Sequence, residues 1–216
     1  RTWAEVLFLA ADLTPGTTID LDDRISAVRD QVDLRFIIWL ERWFGSLHNL
    51  PITSPPMVHH IARFLESRLR ELGKVALVVV DGMAYHQWLI LRQAIGTHAP
   101  SWRFDEGATF AWIPSLTNVS RQAIFAGKAP YFFPSSIGTT DRDGVLWQQF
   151  WVEHGLSTPE VSYLRGLGEL STLQRLDDAL AVPRLKAMAL VVDTVDRIMH
   201  GMELVFTCIN NRNVTE

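Results

Sequence analysis

The chain has 216 residues, 48% of them hydrophobic, and a formal net charge of −4, which suits one sizeable core or one core with a small helical appendage. The mild acidity argues against a generally basic nucleic-acid coat and leaves a local basic groove open. A lone cysteine, Cys208, excludes a disulfide framework within one chain and fits a reducing, cytoplasmic setting. No apolar run approaches the ~20 residues of a membrane span, so a membrane is not an expected partner.

The chain opens Arg1-Thr2-Trp3, soon followed by Glu5 and Asp12, with no secretory signal and no initial methionine. It is therefore expected to be a piece of something longer. Residues 2–13 read as the tail of a helix that ends before Pro15-Gly16. A second helix is expected from Asp20, where acidic residues suit a first turn. Its apolar positions Leu21, Ile25, Val28, Val32, Phe36, Trp39, Leu40 and Trp43 recur at helical spacing, and Gly45 is a plausible stop. Trp39, Trp43 and Phe44 read as ordinary core aromatics, or as a surface for a neighbouring domain or partner. A third helix is expected from about Pro56 to Leu72, with Gly73 past its end and a stripe of Val58, Ile61, Ala62, Leu65, Leu69 and Leu72. Residues 1–72 thus form a helical upstream region.

From Lys74 the pattern changes to alternating strands and helices. Val75–Val80 is apolar on both faces, as expected of a parallel strand covered by helices. A helix over Ala84–Ile95 should stop at Gly96. A strand is expected at Trp102–Phe104 or Thr109–Trp112, ended by Pro114. Thr117–Ala126 reads as a helix closed by Gly127, residues 128–144 as a loop, and Val145–Glu153 as a helix. Val161–Leu164 and Leu185–Val192 read as strands. This alternation indicates an α/β domain with a mostly parallel sheet, whose ligands belong at the carboxyl ends of the strands.

Three places can carry chemistry. Asp81 directly follows the first strand, and Gly82 allows close backbone approach, so its carboxylate can hold a metal or simply cap a helix. Thr117 sits at a helix start. Its hydroxyl can be an N-cap, or a nucleophile placed where helix amides attract an anion. Arg121, four residues on, shares its face and is either a phosphate clamp or a solvated surface arginine. Asp196 and His200, at i and i+4, point the same way on a helix and offer an oxygen and a nitrogen to one metal, or form a surface pair. Asp193 is the alternative ligand, ranked behind Asp196. His59-His60 reads as a partly exposed surface feature, and His48, His86, His98 and His154 have no cluster around them.

The order and spacing of these pieces resemble the alkaline phosphatase superfamily, most closely the PglZ proteins of bacteriophage-exclusion (BREX) systems. The phrases that carry the resemblance are VVVDGMAYHQW, IPSLTNVSRQAIFAGKAP and DTVDRIMHGMEL, within roughly residues 74–204. The resemblance implies an alkaline-phosphatase-like, mostly parallel sheet flanked by helices, truncated and preceded by a helical region. The chain thus divides into the helical upstream region 1–72, a partial PglZ core over 73–204 and a tail of uncertain origin over 205–216. It implies that Asp81 and the Thr117 oxygen contact one divalent ion (Zn, Mn or Mg) and Asp196 and His200 a second, with the ions about 4 Å apart. Thr117 would form a phosphothreonine that water hydrolyses, and Arg121 would serve as a catalytic phosphate contact. The substrate would be a phosphate ester: a monoester, a nucleotide or a nucleic-acid backbone. The setting would be a cytoplasmic phage-defence protein with other defence proteins as partners.

Two departures qualify this. Related phosphodiesterases carry Asn three residues after the nucleophile, where this chain has Ser120. The superfamily also has a later Asp-His pair, usually followed by Gly, yet no histidine follows His200 here. The polypeptide alone is therefore expected to be inactive or nearly so. The alternative reading is a non-catalytic interaction component that uses its aromatic-rich helices and the 131–133 loop. A nucleotide-binding domain is disfavoured, since neither G-x-G-x-x-G nor a P-loop follows the first strand.

Overall fold

A computed structural model of the chain describes residues 19–167 and 170–200. The helix tail expected over 2–13, Cys208 and the 205–216 tail lie outside the described residues. Two compact units are present: residues 1–50 with 83–106, and residues 51–82 with 107–216.

In the first unit, helix α1 (Ile19–Trp43) runs into a 3-10 turn at Phe44–Asn49. Its start and its end near Gly45 follow the sequence expectation. Its burial does not: none of residues 23–43 is buried, and Val32 and Trp43 are 55% and 48% exposed. Leu47, in the turn, is buried. The same unit contains the helix Tyr85–His98, which passes through Gly96 rather than stopping there. One glycine costs a helix about 1 kcal/mol, too little to end it. Glu106 folds back onto that helix, accepting hydrogen bonds from Trp88 Nε1 and Arg92 Nη1, each at 2.9 Å.

The second unit holds the sheet. Strand β1 (Val75–Val80) is preceded by α2 (Ile61–Leu72), which ends at Gly73 with φ 77°, a left-handed cap. The helix Tyr85–His98 becomes α3 in chain order. Next come α4 (Thr117–Ala126), α5 (Asp143–Glu153), β2 (Val161–Arg165), α6 (Leu170–Leu180) and β3 (Ala187–Val192). The described strands form one parallel sheet in the order β1-β3-β2. α6 was not anticipated. Its signal is the spacing of Leu173, Leu176 and Leu180, masked by the glycines at 166 and 168.

Central β3 is apolar because both its faces are covered. Ala187, Ala189 and Val191 pack with Phe125, Trp147, Phe150 and Trp151 on one side. Met188 and Leu190 pack with Leu164, Leu176 and Ala179 on the other. β1 is different. Val75, Leu77 and Val79 face the aromatic core, while Val78 is 53% exposed, so the two-sided cover expected from its sequence is realised on one face among the described residues. Neither 102–104 nor 109–112 forms a strand: Phe110 makes only an isolated parallel bridge to Met57. Aromatic edges hold α4 and α5 to the sheet, with Phe125 5.4 Å from Tyr163 and 6.0 Å from Trp147. Such contacts add about 0.5–1.5 kcal/mol beyond the area they bury.

Candidate active site

The carboxyl ends of β1 and β3 lie side by side. Val80 pairs with Val192, and the Asp81 amide donates to the Val192 carbonyl at 2.9 Å. Asp81 and Asp193 therefore leave the sheet next to each other. Gly82 follows with φ +73°, and a Cβ there would lie 3.0 Å from Asp196 Cα and 3.1 Å from its nitrogen. The chain passes close to Asp196 because residue 82 has no side chain. Residues 194–200 are helical, and His200 Nε2 lies 3.4 Å from Asp196 Oδ1, so the pair shares a face as its spacing required. His200 is exposed. Asp193 sits between Arg165 at 3.5 Å and Arg197 at 3.6 Å.

Thr117 is the first residue of α4, with Leu116 in the capping position and no side-chain cap hydrogen bond. Its hydroxyl is exposed and is not used as a helix cap. The first-turn amides of a helix lack intrahelical acceptors. One turn on, Arg121 is 4% exposed and holds two carboxylates. Nη1 donates to Asp81 Oδ2 at 3.1 Å, and Nη2 to Asp143 Oδ2 at 2.6 Å. Arg121 is thus no solvated surface arginine: it ties the middle of α4, one turn past Thr117, to the end of β1.

Asp143 was missed by sequence reasoning. It lies at the first position of α5 with no exposed surface, whereas its sequence surroundings put it at the end of the 128–144 loop. Its Oδ1 and the Arg121 Nε are buried without a hydrogen-bond partner among the described residues, as is Ser120 Oγ. Burial pushes the Asp143 carboxyl up to about 6, against the pull of Arg121 and then Arg165, with Asp81 adding to the rise. Burial also works against the Arg121 charge, but Asp143 and the Asp81 hydrogen bond outweigh it and the guanidinium stays above its ordinary value. Burial, then Asp143, raises the Tyr163 phenol as well.

The loop before Asp143 is fixed by α4. Gln122, fully buried, donates through Nε2 to the Ser136 and Thr139 carbonyls and accepts from Ser136 Oγ, each at 2.6 Å. Asn118 Nδ2 donates to the Ile137 carbonyl at 2.6 Å. At the other end, Gly127 caps α4 with φ +59°, and a Cβ there would meet Phe150 Cε2 at 2.6 Å. His59 and His60 are a correction: both are buried, at 7% and 4% exposure. His59 lies against Trp112, their centroids 5.2 Å apart, and His60 Nδ1 accepts from the Met57 amide at 3.3 Å. They are core histidines because the bridge between Met57 and Phe110 brings the 109–112 segment over them.

For divalent ions, the proposed residues form a partial donor set. Asp81 and Thr117 would supply oxygens, and Asp196 with His200 an oxygen and a nitrogen. Among the described residues no group of three or more His, Cys, Asp or Glu converges as a shell. The donors fit hard or borderline cations in kind and fall short in number.

A parallel sheet with acidic strand ends and a hydroxyl at the start of a later helix is the arrangement that the sequence motifs anticipated. Comparison with known proteins agrees. A search of curated proteins finds no match, whereas the family described as the BREX system PglZ alkaline phosphatase-like domain matches residues 59–212. That span includes Asp81, Thr117, Arg121, Asp143, Asp196 and His200, and covers well over half of the chain. The chain therefore belongs to the PglZ alkaline phosphatase-like domain family of BREX systems.

Proposed function

We propose that this chain carries the nucleophile and part of the cation site of a metal-dependent phosphoryl-transfer domain, a phosphatase or phosphodiesterase of a phage-defence protein, on residues 73–204. The observation that carries the reading is the Arg121–Asp81 hydrogen bond at 3.1 Å. It joins the strand-end carboxylate to a side chain that starts one helical turn after Thr117, an exposed threonine with no side-chain cap hydrogen bond. Thr117 Oγ attacks phosphorus in line with the leaving oxygen, and water hydrolyses the resulting phosphothreonine. The α4 first-turn amides bind phosphate oxygens. Arg121 contacts the same phosphate only if Nη1 exchanges Asp81 for it. Asp81 with Thr117 would hold one divalent cation and Asp196 with His200 another (Zn, Mn or Mg), supplying Lewis acidity toward the nucleophile and leaving group.

Two donors per ion leave both shells incomplete, so the 216-residue polypeptide alone is expected to hydrolyse little. Among the described residues no helix is long and apolar enough to cross a membrane. The test is hydrolysis of a phosphodiester, bis-p-nitrophenyl phosphate, by the protein expressed from its own locus with Mn²⁺ or Zn²⁺. Thr117→Ala should lower kcat on the order of a thousandfold or more. Undiminished turnover in that variant would remove Thr117 as nucleophile.

A second reading, an interaction component of the defence system, is favoured by one observation. Tyr131 and Phe132 are 69% and 64% exposed, with ring centroids 4.6 Å apart. It gains if the protein expressed from its locus neither retains divalent metal nor hydrolyses phosphodiesters.

A further inference from the structure

Asp143 has no part in the reaction outlined above, yet it is the best-buried carboxylate beside it. Its bond to Arg121, at 2.6 Å, is shorter than the 3.1 Å bond from Arg121 to Asp81. Charge-assisted N–H···O bonds centre near 2.7–2.9 Å, so Asp143 is the firm partner and Asp81 the looser one. The position of Asp143 is set from both sides. Gln122 pins the preceding loop through Ser136 and Thr139, and Gly144 packs under the Tyr163 ring, where a Cβ would lie 2.8 Å from Cδ1.

We propose that Asp143 is a positioning residue that draws the Arg121 guanidinium to itself, so that Arg121 steadies Asp81 at the end of β1 without claiming it and Asp81 stays available to a divalent cation. The inference rests on the reading that Asp81 is a cation ligand. Its basis is charge balance. Asp81, Arg121 and Asp143 together carry one net negative charge, which attracts a divalent ion. With Asp143 neutral, the trio has no net charge, and an uncompensated guanidinium competes with the cation for Asp81 Oδ2. A low-dielectric site magnifies both effects.

The test is Mn²⁺ binding by the protein expressed from its own locus, followed by the electron paramagnetic resonance signal of free Mn²⁺ at low ionic strength and about pH 7.5, where an Asp143 with its raised value is ionised. Four proteins are compared: wild type, Asp81→Asn, Asp143→Asn and Arg121→Gln/Asp143→Asn. Asp81→Asn should abolish the Mn²⁺ uptake assigned to this site. Asp143→Asn, which keeps the shape and one acceptor oxygen, should weaken it roughly tenfold. The double variant, with the competing guanidinium also gone, should return to within about threefold of wild type. A purely structural Asp143 would lower the melting temperature and leave Mn²⁺ affinity unmoved.

Wild-type affinity in Asp143→Asn, with uptake lost in Asp81→Asn, overturns the positioning role and leaves the cation site standing. A double variant as weak as Asp143→Asn also overturns it. If Asp143→Asn does not fold, the double variant decides, because it removes both charges of the buried pair and leaves neither uncompensated: binding as poor as in Asp81→Asn counts against the proposal. Wild-type Mn²⁺ uptake that is absent, or unaffected by Asp81→Asn, removes the cation site and the positioning role together.

Discussion

Helices α1 and α4 both carry apolar residues at helical spacing, and they meet opposite fates. From residue 23 to 43 α1 buries nothing, although Val28, Val32, Phe36 and Trp43 sit at three- and four-residue intervals or their multiples. α4, less than half as long, buries six of its ten residues, and two of the six are Arg121 and Gln122. Periodicity reports which side of a helix is apolar, and nothing about whether a surface exists to receive it. The buried polar residues are the more informative ones. A guanidinium or carboxamide goes inside only where partners are waiting, so Arg121 and Gln122 mark where α4 is held in one place.

The contrast can be broken at its strong end first. Phe125→Ala removes a fully buried ring that packs on Trp147 and Tyr163, and should cost about 3–5 kcal/mol in urea denaturation. A loss below about 1 kcal/mol would mean that α4 is not packed as described.

The next test concerns charge. The ordinary Asp143 value is 3.8 and burial raises it to about 6 in the fold. Between those values the folded chain holds a proton that the unfolded chain has released, so this contribution to stability is complete below about pH 4 and lost as pH rises through 6. It amounts to at most about 3 kcal/mol, with Arg121, Arg165, Asp81 and Tyr163 as the groups facing it. Urea midpoints from about pH 4 to 7 should fall with pH in the wild type and lose that component in Asp143→Asn. A wild-type profile without it would place the carboxyl near its ordinary value. Glu160 acts in a separate window. Lys186 and then Ser157 hold it at about 2, so its contribution is present above its ordinary value and lost only toward still lower pH. The smallest effect belongs to α1. Val32→Lys should change stability by no more than about 0.5 kcal/mol, and a larger loss would show that the exposed face is covered in solution.

The same contrast explains what could be read from the chain alone. β1 and β3 were legible because each is a short, continuous apolar run, and α4 because Pro114 and Gly127 bracket it. Asp81, Thr117, Asp196 and His200 were legible as positions, since strand ends and helix starts can be located by pattern. The burial of Arg121 was not. Its partners lie 40 residues before it and 22 after, and nothing in its neighbours says that it points inward. Asp143 escaped for another reason: its sequence surroundings put it in the 128–144 loop, with the helix expected only from Val145, whereas the helix begins at Asp143 itself. His59 and His60 were misread because their cover comes from a segment some fifty residues away, joined by a single bridge at Met57 and Phe110.

Gly82 has a consequence for how variation at this site is interpreted. Its backbone lies in the left-handed region, and a methyl group there would meet the Asp196 main chain at 3.0 Å, so every substitution faces two separate obstacles. In a saturation library, substitutions at codon 82 should be depleted for reasons of backbone conformation and spacing, whatever chemistry its neighbour performs. Codon 81 has no such constraint on its backbone. Intolerance at 82 would therefore measure how closely the strand end must approach the helix that bears Asp196, and only intolerance at 81 would measure the need for a carboxylate.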